Sequence, residues 1–232
     1  STAYPENIWP RQAGFKEALT LLYDELERYS VPLLQAIVAT INQRSSMQLD
    51  LDFLNKMTKN GASLLRALYY PALEQDEMDL SQPLYWAAAH TDIDFLAVLP
   101  YATAKGLQVE MNGQWLNVVV PEDAFVINVG DMLENISNGL FVSARHRVVA
   151  QEADQDRFSM VLFVHPYDRA PLDPLAACIE LTGGRQIYAP GTREEFLWER
   201  LLELNIAPDV LEPYSKTGHV ERQALYHRES PQ

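Results

Sequence analysis

From about Ser63 onward the sequence breaks into short β-type runs separated by turn residues, and this pattern constrains the fold more than any other feature. Leu64 to Tyr70, Leu84 to Ala89, Phe95 to Leu99, Leu107 to Met111, Trp115 to Val119, Phe125 to Val129, Val142 to Ala150 and Phe158 to Val164 read as strands, rich in β-branched, aromatic and aliphatic residues. The segment Glu110-Met111-Asn112-Gly113-Gln114-Trp115 carries an Asn-Gly pair, the strongest short-range hairpin signal. So many closely spaced strands predict a sandwich or barrel.

Helical periodicity flanks this region. Phe15, Ala18, Leu19, Leu22, Leu26, Tyr29, Leu33, Ile37 and Ile41 recur at intervals that fill one helix face, with Pro32 predicting a kink or a split. A shorter helix is expected through Phe53, Leu54 and Met57, stopping at Asn60-Gly61. A last helix from Arg193 to Leu204 buries Phe196, Leu197 and Leu201, and the polar tail after Pro208 reads as loosely ordered. The expected class is mainly β with flanking helices. One structural domain of 232 residues is divided into a helical support segment (1–62), a β core carrying the chemistry (63–170) and a C-terminal helix and tail (171–232).

Composition excludes several functions. A formal charge of −14, with Lys and Arg scattered rather than gathered in a stripe, would repel a phosphate backbone, so nucleic acid is not an expected partner. No apolar run reaches the length of a bilayer span and no signal-type segment opens the chain, so no membrane partner and a cytoplasmic location are expected. Cys178 is the only cysteine, which removes an intrachain disulfide and any cysteine-rich metal site. A metal here must be held by His and carboxylates, and an anionic ligand must meet locally supplied positive charge.

His90-Thr91-Asp92 meets the first requirement. At a strand end, positions i and i+2 share a face, so the imidazole and carboxylate can converge inside a barrel. His146, in the run Ser143 to Val149, can join them from a neighbouring strand. Two imidazoles and one carboxylate suit iron(II) and leave coordination positions open. His-x-Asp by itself is a weak signal, because single histidines are more often surface or satisfied core residues. Arg157-Phe158-Ser159 strengthens it: Arg157 and Ser159 share a strand face and together can receive a small carboxylate. His165, His219 and His227 are expected to be structural or solvent-exposed. Trp86, Phe95, Leu99 and Tyr101 flank the His-x-Asp segment and are candidates for a substrate pocket, with core packing the plainer alternative for each.

These motifs fall in a known order. Tyr4 to Pro10, Leu65-Arg66-Ala67-Leu68-Tyr69-Tyr70-Pro71, Ala89-His90-Thr91-Asp92, Gly106 to Val109, Asn128-Val129-Gly130-Asp131, Ser137-Asn138-Gly139, His146 to Val149 and Arg157-Phe158-Ser159 resemble the isopenicillin N synthase-like family of iron(II)/2-oxoglutarate-dependent oxygenases, in its bacterial form. The resemblance implies a double-stranded β-helix, or jelly-roll, core. It implies iron ligands at His90, Asp92 and His146. It also implies a 2-oxoglutarate site at Arg157 and Ser159 with Tyr70 in contact, O2 as the oxidant and a small organic substrate. Two positions depart from the family: Leu68 stands where many members have asparagine, and Asp94 where plant members usually have glycine. Members usually continue further at the N-terminus, so a truncated form or a compact variant is expected.

By this resemblance the chain would hydroxylate or desaturate its substrate, with release of succinate and CO2. Two alternatives stand beside that reading. One is an iron(II) oxidase of the same family that seats a substrate carboxylate on Arg157 and Ser159 without 2-oxoglutarate. The other is a non-catalytic small-molecule binding or sensing module on the same barrel.

Overall fold

The computed structural model describes residues 6–73, 83–150, 155–203 and 218–228. Helix α1 (Phe15–Arg44) and the short α2 (Phe53–Thr58) precede the strands β1 (Leu64–Tyr70), β2 (Tyr85–His90), β3 (Leu96–Leu99), β4 (Leu107–Met111), β5 (Gln114–Asn117) and β6 (Val126–Val129). Helix α3 (Asp131–Ile136) then leads to β7 (His146–Val149) and β8 (Arg157–Val164). Helices α4 (Ala176–Leu181), α5 (Arg193–Glu203) and α6 (His219–Arg228) follow.

The strands form two four-stranded sheets, in the orders β1-β8-β3-β6 and β2-β7-β4-β5, with antiparallel pairing throughout. Neighbours in space are mostly not neighbours in sequence, because the chain crosses repeatedly between the sheets. This is the double-stranded β-helix. The Asn-Gly hairpin joins β4 to β5: Met111 pairs with Gln114, and Asn112 and Gly113 both adopt positive φ (51° and 74°), as a type I′ turn requires.

Side-chain alternation on β8 explains the layering. Arg157, Ser159, Val161 and Phe163 face the space between the sheets, whereas Leu162 and Val164 face outward and are buried. They are covered by α1, whose Leu26, Leu34 and Val38 join Leu96, Val98, Leu162 and Val164 in the main core. Full burial of each such side chain stabilises by about 1.5–3 kcal/mol.

Helix α1 runs unbroken through Pro32, against the expectation of a split. Its buried positions Leu26, Ser30, Leu34, Val38 and Ile41 lie on both sides of the proline, so packing offsets the interior-proline cost of about 3 kcal/mol. Strand β7 starts at His146 rather than Val142, since residues 137–145 form an irregular return from α3. Of the tail after Pro208 expected to be loose, 209–217 and 229–232 lie outside the described residues, but α6 is an ordered helix. Its His219 is buried and bonds Asn135 (2.9 Å). No described helix is long and apolar enough to cross a membrane.

Candidate metal and keto-acid site

The hydrogen-bonded pair β2–β7 sets the two imidazoles side by side. His90 and His146 are register partners, with ring centroids 4.4 Å apart. Each ring lies against the carbonyl two residues earlier: His90 Nδ1 is 2.7 Å from the Ala88 oxygen, and His146 Nδ1 is 2.9 Å from that of Ala144. A carbonyl can only accept, so Nδ1 carries the proton and the Nε2 lone pair is left for a metal.

Asp92 arrives by a different route from the one strand alternation suggested. Strand β2 ends at His90, and Asp92 sits in the loop beyond it. That loop is tied to the start of α3: the Asp131 amide donates to the Asp92 carbonyl (2.8 Å) and the Met132 amide to that of Asp94 (3.2 Å). The Asn128 side-chain amide reaches Asp92 Oδ2 at 3.5 Å. His90 Nε2 and His146 Nε2 are each 3.8 Å from a different carboxylate oxygen of Asp92. All three ligand atoms lie within 4.8 Å of one another. Asp92 and His146 are buried, while His90 is partly exposed at the cavity.

Supporting residues that sequence reasoning gave no role hold this loop. Thr91 Oγ1 donates to Asp131 Oδ2 (3.0 Å), and Arg200 of α5 reaches both that oxygen (3.4 Å) and the Thr91 carbonyl (3.3 Å). Burial raises the Asp131 carboxyl, against the lowering effect of its hydrogen bonds and of Arg200. Asp94 is wholly buried; desolvation, with Asp92 and Asp131 adding repulsion, raises its pKa well above the ordinary range. Neither of its carboxyl oxygens has a hydrogen-bond partner among the described residues. Gly130 leaves room for it by having no side chain: a Cβ there would lie 2.1 Å from Asp94 Oδ1 and 2.4 Å from the Asp94 carbonyl oxygen. Gly130 and Asp131 belong to the Asn128-Val129-Gly130-Asp131 run, which the sequence showed as a motif without a role.

Arg157 and Ser159 line the same cavity of about 190 Å³, which the two sheets enclose, together with Tyr70, Leu68, Trp86, Leu99 and the three metal-type ligands. Arg157 is 3% exposed, and its Nη1 donates to Ser159 Oγ (2.9 Å) while Nε donates to the Ala104 carbonyl (3.1 Å). Its guanidinium lies 5.3 Å from the centre of the Tyr70 ring, which stacks on Trp86 at 5.5 Å. Burial lowers the Arg157 pKa, and no carboxylate among the described residues pairs with it. The Trp86 indole N–H is buried here with no acceptor among the described residues. A buried cation and a buried donor that lack anionic partners fit an acidic ligand.

Of the four aromatic and aliphatic candidates, Trp86 and Leu99 line this cavity. Phe95 is instead fully buried in the main core, and Tyr101 lines a neighbouring pocket behind Arg157.

A jelly-roll with two imidazoles and a carboxylate converging at one point, and a buried arginine lining the same cavity, makes a candidate mononuclear metal site with a candidate anion site beside it. Comparison with known proteins gives the family. Residues 61–166 match the sequence profile of the 2OG-Fe(II) oxygenase superfamily. An oxygenase-type protein from Shewanella oneidensis is 31% identical with a TM-score of 0.64, over 88% of this chain and 70% of that one. A full-length Neurospora crassa protein, solved in complex with alpha-KG, is 26% identical with a TM-score of 0.76, over 87% and 62%. Protein DOWNY MILDEW RESISTANCE 6 of Arabidopsis thaliana is 30% identical over 204 residues, 85% of this chain and 56% of the relative. The chain belongs to the 2OG-Fe(II) oxygenase superfamily. It spans about half the length of the curated relatives it matches.

Proposed function

We propose that this protein is an iron(II)/2-oxoglutarate-dependent dioxygenase that hydroxylates or desaturates a small organic substrate. The observation that carries the reading is the coexistence, in one cavity, of the His90/Asp92/His146 cluster and the buried Arg157, which no carboxylate among the described residues pairs with. His90, Asp92 and His146 would hold the metal through Nε2, one carboxylate oxygen and Nε2. Iron(II) with 2-oxoglutarate and O2 supplies the oxidising chemistry, releasing succinate and CO2. The residues of the chain supply position: Arg157 and Ser159 receive the distal carboxylate in a bidentate, charge-assisted contact, and Tyr70 covers the guanidinium face. The Neurospora relative is bound to alpha-KG, in keeping with this assignment.

On this reading residues 63–170 carry the chemistry, with 1–62 as a helical support segment and 171–232 as a C-terminal helix and tail. The enzyme works on a small molecule in the cytoplasm and needs neither nucleic acid nor membrane.

Anaerobic addition of iron(II) and then 2-oxoglutarate tests the proposal. A visible charge-transfer band is expected only with both present, and succinate should form in step with product once O2 and a substrate are supplied. Product without succinate would instead establish the oxidase alternative.

A further inference from the structure

Beside Arg157, the cavity holds a second arginine. Arg66 lies on the inner face of β1 and lines the same space as the metal cluster, at its exposed end. The β1–β8 register fixes its distance from the keto-acid site: Tyr70 pairs with Arg157, Leu68 with Ser159 and Arg66 with Val161. Four residues along a strand correspond to about 13 Å. A five-carbon keto acid reaching from Arg157 to the metal therefore leaves Arg66 unoccupied. Among the described residues no carboxylate pairs with Arg66, and the only acidic side chain lining the cavity is Asp92.

Charge balance gives this residue its meaning. The lining carries two arginines against one aspartate, so it is positive by one within a chain of net charge −14. A divalent metal and a dianionic keto acid cancel each other, so the loaded site keeps that single positive charge, and it resides on Arg66. Between Arg66 and the metal the walls are apolar: Leu68, Val161 and Phe163. We infer that Arg66 is a specificity-determining residue that binds the acidic group of the substrate, which is a small monocarboxylate with an apolar body lying against Leu68, Val161 and Phe163. This rests on the function proposed above, because the charge balance assumes iron(II) and 2-oxoglutarate in place.

The test is anaerobic calorimetric titration of protein saturated with iron(II) and 2-oxoglutarate, so that Arg157 is already occupied. The probes are matched acids and amides: butyrate and butyramide, hexanoate and hexanamide, benzoate and benzamide, phenylacetate and phenylacetamide. At least one acid is expected to bind roughly 10- to 100-fold more tightly than its amide, the worth of a hydrogen bond to a charged group. Arg66→Gln should abolish that preference, Arg66→Lys should retain part of it, and the 2-oxoglutarate Kd should stay within about twofold in both. Equal binding of acids and amides, no binding of any acid, or a preference that survives Arg66→Gln overturns the assignment of Arg66. If 2-oxoglutarate itself fails to bind, the underlying function falls, and this inference with it.

Discussion

His90 and His146 are direct cross-strand partners on β2 and β7, and each donates Nδ1–H to a carbonyl two residues back in its own chain. The backbone thus fixes both the separation of the imidazoles and their tautomer before any metal arrives. His146→Ala should lower iron(II) affinity by more than roughly 100-fold, and Asn128→Ala, which removes only the amide beside Asp92, by roughly 10-fold. Anaerobic competition against a chromogenic chelator measures both. Equal affinity in the wild type and His146→Ala would remove this histidine from the ligand set.

Arg157 is expected to act on the keto acid and not on the metal. Arg157→Gln should raise the 2-oxoglutarate Kd roughly 10- to 100-fold, since a hydrogen bond to a charged group contributes about 1.5–3 kcal/mol. Iron(II) affinity should be unchanged. Monitoring the charge-transfer band during a 2-oxoglutarate titration gives the comparison.

Gly130→Ala would force a methyl group against the Asp94 carbonyl, 2.4 Å away, in the turn that anchors the Asp92 loop. The loop must shift, at a cost of about 1–3 kcal/mol. A fall in Tm accompanied by weaker iron(II) binding is expected. A fall in Tm with unaltered iron(II) affinity would show that the strain is absorbed away from Asp92.

His165 gives a pH signature of its own. Burial, with Arg193 nearby, pushes its pKa down to about 3, far below the ordinary 6.5. The unfolded chain therefore binds the proton more readily than the folded one. The stability tied to a neutral His165 is complete above pH 6.5 and declines as pH falls from there toward 3, by at most about 1.4 kcal/mol per pH unit. In a His165→Gln variant the Tm should vary less with pH between about 6.5 and 4 than in the wild type. Parallel Tm curves would show that His165 does not titrate in this way.

The strands and three of the six described helices were legible in the sequence because each is a local matter. Runs such as Leu64–Tyr70 and Leu107–Met111 are short, rich in aliphatic and aromatic residues and bounded by turns, and Asn112-Gly113 encodes its own turn through positive φ. Helices α3 and α4 escaped notice: each has six residues, too few for a helical period to register, and the equally short α2 was legible through its Asn-Gly stop, a signal that α4 lacks and that goes unread in the Asn138-Gly139 pair after α3. At Pro32 the split, one of the two outcomes expected there, does not occur, for the opposite reason. Its local penalty was visible, but the packing on both sides of it was not. His219 was hidden by composition, since a polar segment gave no sign that Asn135 and Glu199 would enclose it.

By itself the sequence determined the ligand types, their order and the face-sharing of Arg157 with Ser159, because residue chemistry and strand period need no long-range information. Only the tertiary structure decided how they meet. The β2–β7 register brings His90 and His146 together from distant parts of the chain, while contacts with Asn128 and Asp131 swing Asp92 to them from outside the strand. The role of Arg66 was likewise out of reach of the sequence. Its meaning lies in which cavity it shares and which carboxylates it lacks, and both are set by how two sheets close on each other.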